Sequence, residues 1–149
     1  MNRKDINNKV NKTFTSREER ERKHFDELAQ HGYAWWGSRT AAGKIRLQRR
    51  VRLLMQNLKT KPGDKILEFG CGCGDFTEAV SNILDNKTLI YGIDLSESQI
   101  NLAKERIKKS NVFFSVESCT NSKFNENSFD FIIGKSILHH LNLDEVLNE

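Results

Sequence analysis

Three glycines alternate with cysteines at 70–74 (GCGCG), and two acidic residues stand near them. Glu68 precedes the first glycine by two positions, and Asp94 follows Gly74 by 20. Glycine has no side chain to hold a ligand away from the backbone, and it permits the positive φ of a tight turn. An acid at this distance from such a loop can accept hydrogen bonds from ribose hydroxyls, and a second carboxylate suits a cationic group. The spacing predicts a loop that binds a nucleoside closely.

Two phosphate-binding motifs fit the loop poorly. A dinucleotide fingerprint needs Gly or Ala at position 75, whereas Asp75 would itself accept from the free amides of a helix start and repel a phosphate. A Walker-type phosphate loop needs Lys-Ser or Lys-Thr after the glycines, which the sequence lacks. A ligand with ribose and adenine but no phosphate remains, and the two acids favour a sulfonium or ammonium on it. The residues therefore predict a site for S-adenosylmethionine.

The elements that must position these residues alternate short apolar strands with helices. Strands are predicted at 65–69, 88–94, 112–116 and 129–133, with helices at 75–84 and from 96 to about 110. Apolar residues expected to face inward are Phe76, Ala79, Val80, Ile83, Ile100, Ala103 and Ile107. This alternation indicates an α/β fold with a Rossmann-like, doubly wound parallel sheet. Ligands of such sheets lie beyond the carboxyl ends of the strands, where the glycine loop begins.

The part before the first strand has a different character. Residues 1–15 show no periodicity and predict a flexible arm, 16–61 an N-terminal helical cap segment, and 62–149 the cofactor-binding domain. Ser16 and Glu19 have the spacing of a capping box that starts a first helix. A second helix is predicted to end before the turn at 62–63, with apolar positions at Leu47, Val51, Leu54 and Leu58.

The net charge of +4 conceals an asymmetry, because residues 1–65 hold 17 Lys and Arg against 7 Asp and Glu. A basic front can meet nucleic acid, an anionic substrate or a lipid surface, or it can simply be solvated. Arg46, Arg49 and Arg50 could bind a phosphate or carboxylate of the acceptor, although a solvated helix face is favoured over this hypothesis. Nucleic acid is possible but not favoured, because no RNA-binding module precedes these arginines.

The remaining composition predicts a cytoplasmic protein. No apolar run approaches the roughly 18 to 20 residues of a membrane span, and the first 11 residues lack the apolar stretch of a secretory signal. The odd number of cysteines, three, favours reduced thiols. Cys71 and Cys73 have no second cysteine pair at zinc-site spacing, so they are interpreted as small side chains of a crowded loop and no metal is predicted.

Four segments carry a resemblance to a known family. Residues 66–74 (ILEFGCGCG), 91–96 (YGIDLS), 127–133 (NSFDFII) and 138–141 (LHHL) resemble motifs of the class I S-adenosylmethionine-dependent methyltransferases, in the right order and spacing. The similarity is greatest to the small-molecule group that includes the quinone-biosynthesis methyltransferases. The resemblance implies that Gly70, Gly72 and Gly74 pack against the methionine part and that Glu68 lies near its ammonium. It also implies that Asp94, with Leu95 beside it, binds the ribose.

Two positions after the later strands need separate interpretation. The family commonly has an acid that contacts the adenine amine where this chain has Ser118, so Glu117, just before it, is the expected substitute. His139 and His140 follow the fourth strand, where the acceptor would face the methyl group, and each is a candidate general base or a packing residue.

The aromatic segment with Tyr33, Trp35 and Trp36 is either a lid over the site or ordinary packing.

The predicted function is methyl transfer from S-adenosylmethionine to a small-molecule acceptor. Alternatives are an RNA or protein methyltransferase, a nicotinamide oxidoreductase that Asp75 disfavours, and a non-catalytic, truncated nucleoside-binding domain. The family's sheet has more strands than the four predicted here. We therefore expect that the C-terminal part is missing, that an additional segment or an oligomer partner is needed, and that the chain alone is poorly stable or inactive.

Overall fold

The computed structural model describes residues 14–30, 40–141 and Asp144. The aromatic segment at 33–36, interpreted as a lid or as ordinary packing, and most of the predicted flexible arm lie outside the described residues. In chain order the elements are α1 (Ser16–Ala29), α2 (Ala41–Asn57), β1 (Lys65–Phe69), α3 (Asp75–Ser81), β2 (Leu89–Asp94), α4 (Glu97–Arg106), β3 (Val112–Val116), β4 (Phe131–Gly134) and a 3₁₀ turn (Leu138–His140).

The four strands form one parallel sheet in the order β3-β2-β1-β4. Ile66 of β1 aligns with Ile90 of β2 on one side and with Phe131 of β4 on the other. The chain therefore winds outward from β1 to β3 and then returns to the opposite side of β1. The prediction of a Rossmann-like, doubly wound parallel sheet is confirmed. The reversal lies between β1 and β4, which places the expected ligand crevice beside the glycine loop.

One apolar core joins the sheet to the helices around it. It contains Val51 of α2, Phe76 and Val80 of α3, Ile107, and residues of the four strands, namely Ile66, Ile90, Val112 and Ile133. Leu47 and Leu54 of α2 pack against this core, as the sequence periodicity predicts. The basic helix α2 is therefore part of the same packed unit as the sheet. None of the helices in the described part of the chain is long and apolar enough to cross a membrane.

The capping box of α1 lies one residue earlier than predicted. Thr15 is the N-cap: its hydroxyl accepts from the amide of Glu18 at 3.2 Å, and the Glu18 carboxylate accepts from the amide of Thr15 at 2.8 Å. The predicted pair of Ser16 and Glu19 has the same spacing, so the sequence alone offers both registers. Ser96 caps α4 as predicted, but the reciprocal bond from Gln99 is absent because the Ser96 amide donates to Asp94 instead.

Several element boundaries also differ from the prediction, including the start of β2 at Leu89 instead of 88. Helix α3 ends at Ser81 and α4 at Arg106, earlier than 84 and 110. Ile83, predicted to face inward, lies in the turn after α3 and is 60% exposed. The last strand runs from Phe131 to Gly134, and Phe129, placed in the strand by the sequence pattern, lies before it and packs edge to face against Tyr91 and Phe124.

Candidate functional site

The glycine loop begins directly after β1 and ends at α3. Gly70, Gly72 and Gly74 all have positive φ, between 54° and 81°. The amide of Cys71, between the first two, donates to the carbonyl of Ile93 at 3.0 Å and ties the loop to β2. Because L side chains are strained in this conformation, glycine is the residue that allows the turn at each position.

The three glycines differ in what surrounds them. A Cβ at Gly70 would lie 2.6 Å from the side chain of Ile137, and a Cβ at Gly74 would lie 2.7 Å from Cδ1 of Ile107. At Gly72 the nearest atom of the described residues, chain neighbours aside, would be Oε1 of Gln99, at 3.9 Å. Gly70 and Gly74 therefore allow close packing within the protein, whereas Gly72 borders open space.

Asp94 ends β2 and holds the loop in place. Its Oδ2 accepts from the amide of Gly72 at 2.8 Å, and its Oδ1 accepts from the amide of Ser96 at 2.9 Å. Burial raises the pKa of Asp94, although these two hydrogen bonds act in the opposite direction. Each carboxylate oxygen has a further lone pair, so Asp94 can still accept hydrogen bonds from a ligand.

A cavity of about 370 Å³ lies beyond the carboxyl ends of the strands. The loop, the ends of β2 and β3, the segment after β4, and helices α1 and α2 line it. Of the residues that the sequence assigned to the site, it brings together Gly70, Gly72, Asp94, Leu95, Glu117, His139 and His140. Glu68, Gly74 and Ser118 are not among the residues that line it.

Glu68 is buried behind the cavity lining, with 1% of its surface exposed. Its Oε2 accepts a hydrogen bond from the hydroxyl of Thr77 at 2.7 Å. Burial raises the pKa of Glu68 to about 7, against the effects of that hydrogen bond and of the Lys135 charge. The carboxyl can therefore change its ionisation state near neutral pH.

The carboxylate of Glu18, which the sequence did not assign to the site, lies beside Ser118. The hydroxyl of Ser118 donates to Oε1 of Glu18, which also accepts from the hydroxyl of Thr120 at 3.1 Å. Burial alone would raise the pKa of Glu18. The hydrogen bonds from Ser118, Thr15 and Thr120 outweigh this effect and hold that pKa below its usual value. Glu18 lines the cavity, and so α1 supplies an acid beside the position where the resembling family has one.

The two candidate bases lie in the 3₁₀ turn. Their rings are 3.9 Å apart. Nδ1 of His140 lies 3.0 Å from a carboxylate oxygen of Glu21, and its ring packs edge to face on Phe25 of α1. His139 is exposed. Of the two, His140 has the ring orientation fixed by described contacts.

None of the residues of helix α1 is fully buried, and besides Phe25 and Arg17 it reaches the site through its acidic side chains. Asp26 Oδ1 accepts from the Ser96 hydroxyl at 2.5 Å and from the Ser98 amide at 3.2 Å. Asp26 thus contacts the segment after β2, Glu18 contacts the segment after β3, and Glu21 contacts the segment after β4. Because these partners are far apart in sequence, no local pattern could have revealed them.

Gln99 is a second site residue that sequence reasoning missed. It lines the cavity from the first turn of α4, and only 4% of its surface is exposed. Its Oε1 is buried and has no hydrogen-bond partner among the described residues. An unpaired buried carbonyl oxygen is costly, so a donor on a ligand would be favoured at this point. The sequence pattern marked Gln99 only as a capping residue.

Asp75 does not act as the sequence analysis expected. Its Oδ1 forms an ion pair with Arg106 at 2.7 Å, and the same guanidinium contacts the carbonyl of Cys73 and the carboxylate of Glu78. Among the described residues no helix amide donates to Asp75, and its carboxylate turns to Arg106 instead. The loop cysteines are free, and burial raises the pKa of Cys71 well above its usual range, which keeps the thiol neutral.

A parallel Rossmann-like sheet with a glycine loop after its first strand and an acid at the end of its second is common to class I methyltransferases and dinucleotide-binding domains. Residues 66–149 match the family model for the methyltransferase domain. The match covers more than half of the chain, and the chain belongs to this family. The resemblance predicted from the four motifs is thereby confirmed.

Two methyltransferases are similar to this chain in sequence. The chain is 38% identical over 88 residues to phosphoethanolamine N-methyltransferase 3 of Arabidopsis thaliana, covering 56% of this chain and 17% of that protein. It is 29% identical over 119 residues to 27-O-demethylrifamycin SV methyltransferase of Amycolatopsis mediterranei, covering 77% and 42%. The chain therefore spans less than half the length of either relative.

Solved structures share the fold at low sequence identity. Geranyl diphosphate C-methyltransferase from Streptomyces coelicolor A3(2), in complex with Mg²⁺, geranyl diphosphate and S-adenosyl-L-homocysteine, superposes with a TM-score of 0.74 at 14% identity. The alignment covers 89% of this chain and 58% of that one.

Proposed function

We propose that this domain binds S-adenosylmethionine and serves methyl transfer to a small-molecule acceptor. The observation that carries the proposal is the Asp94 carboxylate, held by the amides of Gly72 and Ser96 at the edge of the cavity. The curated relatives named above are methyltransferases of small molecules, and the solved relative contains S-adenosyl-L-homocysteine. These names support the proposal because this chain belongs to the same family.

The cavity residues fit the nucleoside part of the cofactor. Asp94 and the unpaired Oε1 of Gln99 both border Gly72, where a ligand can approach the backbone. Two acceptors at one point suit the two hydroxyls of a ribose. We assign the adenine amine to Glu117 and Glu18, which line the cavity beyond β3, and assign Leu95 to packing against the nucleoside.

The methionine part is assigned to the glycine loop, with Gly70 and Gly72 at the cavity and Gly74 supporting the turn. Glu68 remains the proposed partner of the ammonium. Because the carboxyl is buried next to Thr77, we infer that it acts through its charge more than through direct contact.

S-adenosylmethionine supplies an electrophilic methyl group on a sulfonium, so the protein must mainly align the acceptor and exclude water. An acceptor oxygen or nitrogen that must lose its proton needs a base. We propose His140 for this role. Its Nδ1 is directed at Glu21, which leaves Nε2 as the nitrogen that takes the proton. His139, beside it, is the second candidate.

We also propose that the protein works in the cytoplasm, on the support of its three free cysteine thiols. The need for a further segment or an oligomer partner stays a prediction. Size-exclusion chromatography with light scattering, with and without S-adenosylhomocysteine, measures whether this chain associates.

Calorimetric titration of the chain with S-adenosylhomocysteine tests the proposed cofactor. We expect saturable binding to the wild type and at least about 10-fold weaker binding to Asp94→Asn, because charge-assisted hydrogen bonds are lost. Asp85→Asn is the matched control, since Asp85 is exposed in the turn before β2 and does not line the cavity. Thermal melting of each variant separates loss of binding from loss of folding. Absence of heat with the folded wild type would overturn the proposal.

A further inference from the structure

Four cationic side chains line the cavity. Arg17 comes from α1, Arg46 and Arg50 come from α2, and Lys135 follows β4. On α2 the cavity-lining residues are Gly43, Arg46, Leu47 and Arg50. Their spacing of three and four residues defines one stripe of the helix, so the two arginines stand one turn apart on the same face.

The cavity's carboxylates and its arginines differ in how they are paired. Asp75 is bound by Arg106, Glu21 contacts His140, Asp94 accepts from two backbone amides, and Glu18 accepts from the hydroxyls of Ser118 and Thr120. By contrast, Arg17, Arg46 and Arg50 form no ion pair with any carboxylate in the part of the chain that the structure describes. Although Glu18 and Glu21 of α1 and Glu117 also line the cavity, no described carboxylate pairs with the two arginines on its α2 side.

The proposed cofactor leaves most of this charge unused. S-adenosylmethionine carries a sulfonium and an ammonium against one carboxylate, so its net charge is positive. Its carboxylate can engage at most one or two of the four cations. A guanidinium binds carboxylate or phosphate oxygens in pairs, and several guanidiniums together match a dianion better than a single negative charge.

We propose that Arg46 and Arg50, with Arg17, bind a phosphoryl group on the small-molecule acceptor. This inference rests on the proposed function, because it names the chemical class of the acceptor at the same site. The acceptor is then a phosphate or diphosphate ester, held by its anion on the α1–α2 side while the group to be methylated points toward the loop and the 3₁₀ turn.

The distribution of charge on α2 favours a small molecule over nucleic acid. All four arginines of α2 are exposed, but Arg46 and Arg50 line the cavity and Arg49 and Arg52 do not. A nucleic acid would use the outer arginines as readily as the inner pair, because phosphate contacts depend on charge more than on enclosure. A phosphoryl group inside the cavity would use only the inner pair. The two pairs of arginines therefore have the same charge and lie on the same helix, but only one pair lines the cavity.

Titration of the full chain with inorganic pyrophosphate at constant ionic strength, with and without saturating S-adenosylhomocysteine, tests the inference by calorimetry. We expect saturable binding to the wild type. The double variant Arg46→Gln/Arg50→Gln should bind at least about 10-fold more weakly, since two charge-assisted contacts are lost. The control Arg49→Gln/Arg52→Gln, with the same loss of charge, should stay within about 2-fold of the wild type.

Several results would overturn the inference. One is no saturable binding of pyrophosphate to the wild type. Another is an equal loss of pyrophosphate affinity in both double variants. The inference also fails if a single-stranded oligonucleotide binds the wild type more tightly than pyrophosphate does and loses affinity equally in both double variants. A third is that the cavity variant loses affinity for S-adenosylhomocysteine but not for 5′-methylthioadenosine, because the arginines would then hold the cofactor's carboxylate. If pyrophosphate binds as expected while S-adenosylhomocysteine gives no heat, the anion site stands and the proposed cofactor fails.

Discussion

The hydroxyl of Thr77 donates to the carboxylate of Glu68 across 2.7 Å, and both side chains are almost completely enclosed. One neutral hydrogen bond does not offset the cost of removing a charged carboxylate from water. The pKa of Glu68 rises to about 7 for this reason. Below that pH the folded protein therefore holds Glu68 mainly in its protonated form.

This relationship predicts a pH-dependent stability. Because the folded pKa of about 7 exceeds the unfolded value of 4.5, the stabilising effect of protonated Glu68 is complete below 4.5 and is lost as pH rises to 7. Between pH 5 and 8 the wild type should lose about 2 to 3 kcal/mol of unfolding free energy that Glu68→Gln does not lose. Urea denaturation at several pH values measures the difference. Glu105→Gln, an exposed substitution on α4, should follow the wild type, and parallel profiles for Glu68→Gln would contradict the pKa argument.

The same carboxyl should affect ligand binding if it lies near the ammonium of the cofactor. A cationic group favours the ionised form of Glu68, so affinity for S-adenosylhomocysteine should increase as pH rises through about 7. Glu68→Gln should remove this increase. Calorimetry between pH 6 and 8, in buffers of different ionisation enthalpy, also measures the proton released on binding. A flat profile in the wild type would assign Glu68 a purely structural role.

Gln99 should show opposite effects on stability and binding. Gln99→Leu removes a buried oxygen with no partner among the described residues, so the unliganded protein should be about 1 kcal/mol more stable. The same change removes the proposed ribose acceptor and should weaken S-adenosylhomocysteine binding about 5-fold. Chemical denaturation and calorimetry give the two numbers. Gln48→Leu, on an exposed face of α2, should change neither, and a loss of both in Gln99→Leu would indicate a packing defect instead.

The glycines of the loop should separate structural from ligand effects. Gly74→Ala should cost about 2 to 4 kcal/mol of stability, because a Cβ at positive φ would also meet Ile107 at 2.7 Å. Gly72→Ala should cost only about 1 to 2 kcal/mol, from φ alone, yet abolish cofactor binding. Gly63→Ala is the control, since its Cβ would meet nothing within 4 Å and it lies outside the cavity. If Gly72→Ala bound S-adenosylhomocysteine normally, close approach at this loop would be refuted.

The α1 helix should detach locally when its carboxylate contacts are removed. Asp26→Ala removes the bonds to the Ser96 hydroxyl and the Ser98 amide. With no buried residue to hold it, α1 should then exchange its amide hydrogens at least about 5-fold faster, while β1 and β2 stay protected. Hydrogen–deuterium exchange measures this directly. Glu27→Ala, exposed on the same helix, should leave the exchange of α1 unchanged.

The sheet and its loop could be predicted because their signals are continuous in the sequence. Strands β1 and β3 match the predicted bounds, and Asp94 ends β2 as expected. Where an apolar strand is followed directly by glycines, the sequence alone shows where the strand ends and the loop begins. The positions of Gly70, Gly72 and Asp94 at the cavity follow from that register.

The rest of the site depends on long-range packing that no local pattern encodes. Arg46, Arg49 and Arg50 are equivalent in the sequence, and only the docking of Val51 into the core decides which of them line the cavity. Thr15 and Ser16 each have a glutamate three residues later, so the start of α1 was undetermined by one residue. The bond between Glu18 and Ser118 joins residues 100 positions apart.

Helix α1 is fastened to the segments after β2, β3 and β4 by one carboxylate each, at Asp26, Glu18 and Glu21. Polar fastenings of this kind break independently and reform quickly, unlike an apolar interface that must separate as a whole. We expect the lifetime of a bound ligand to depend on these three contacts together with the packing of Phe25 on His140. Residence time, more than equilibrium affinity, is the property that substitutions along the acidic face of α1 would adjust.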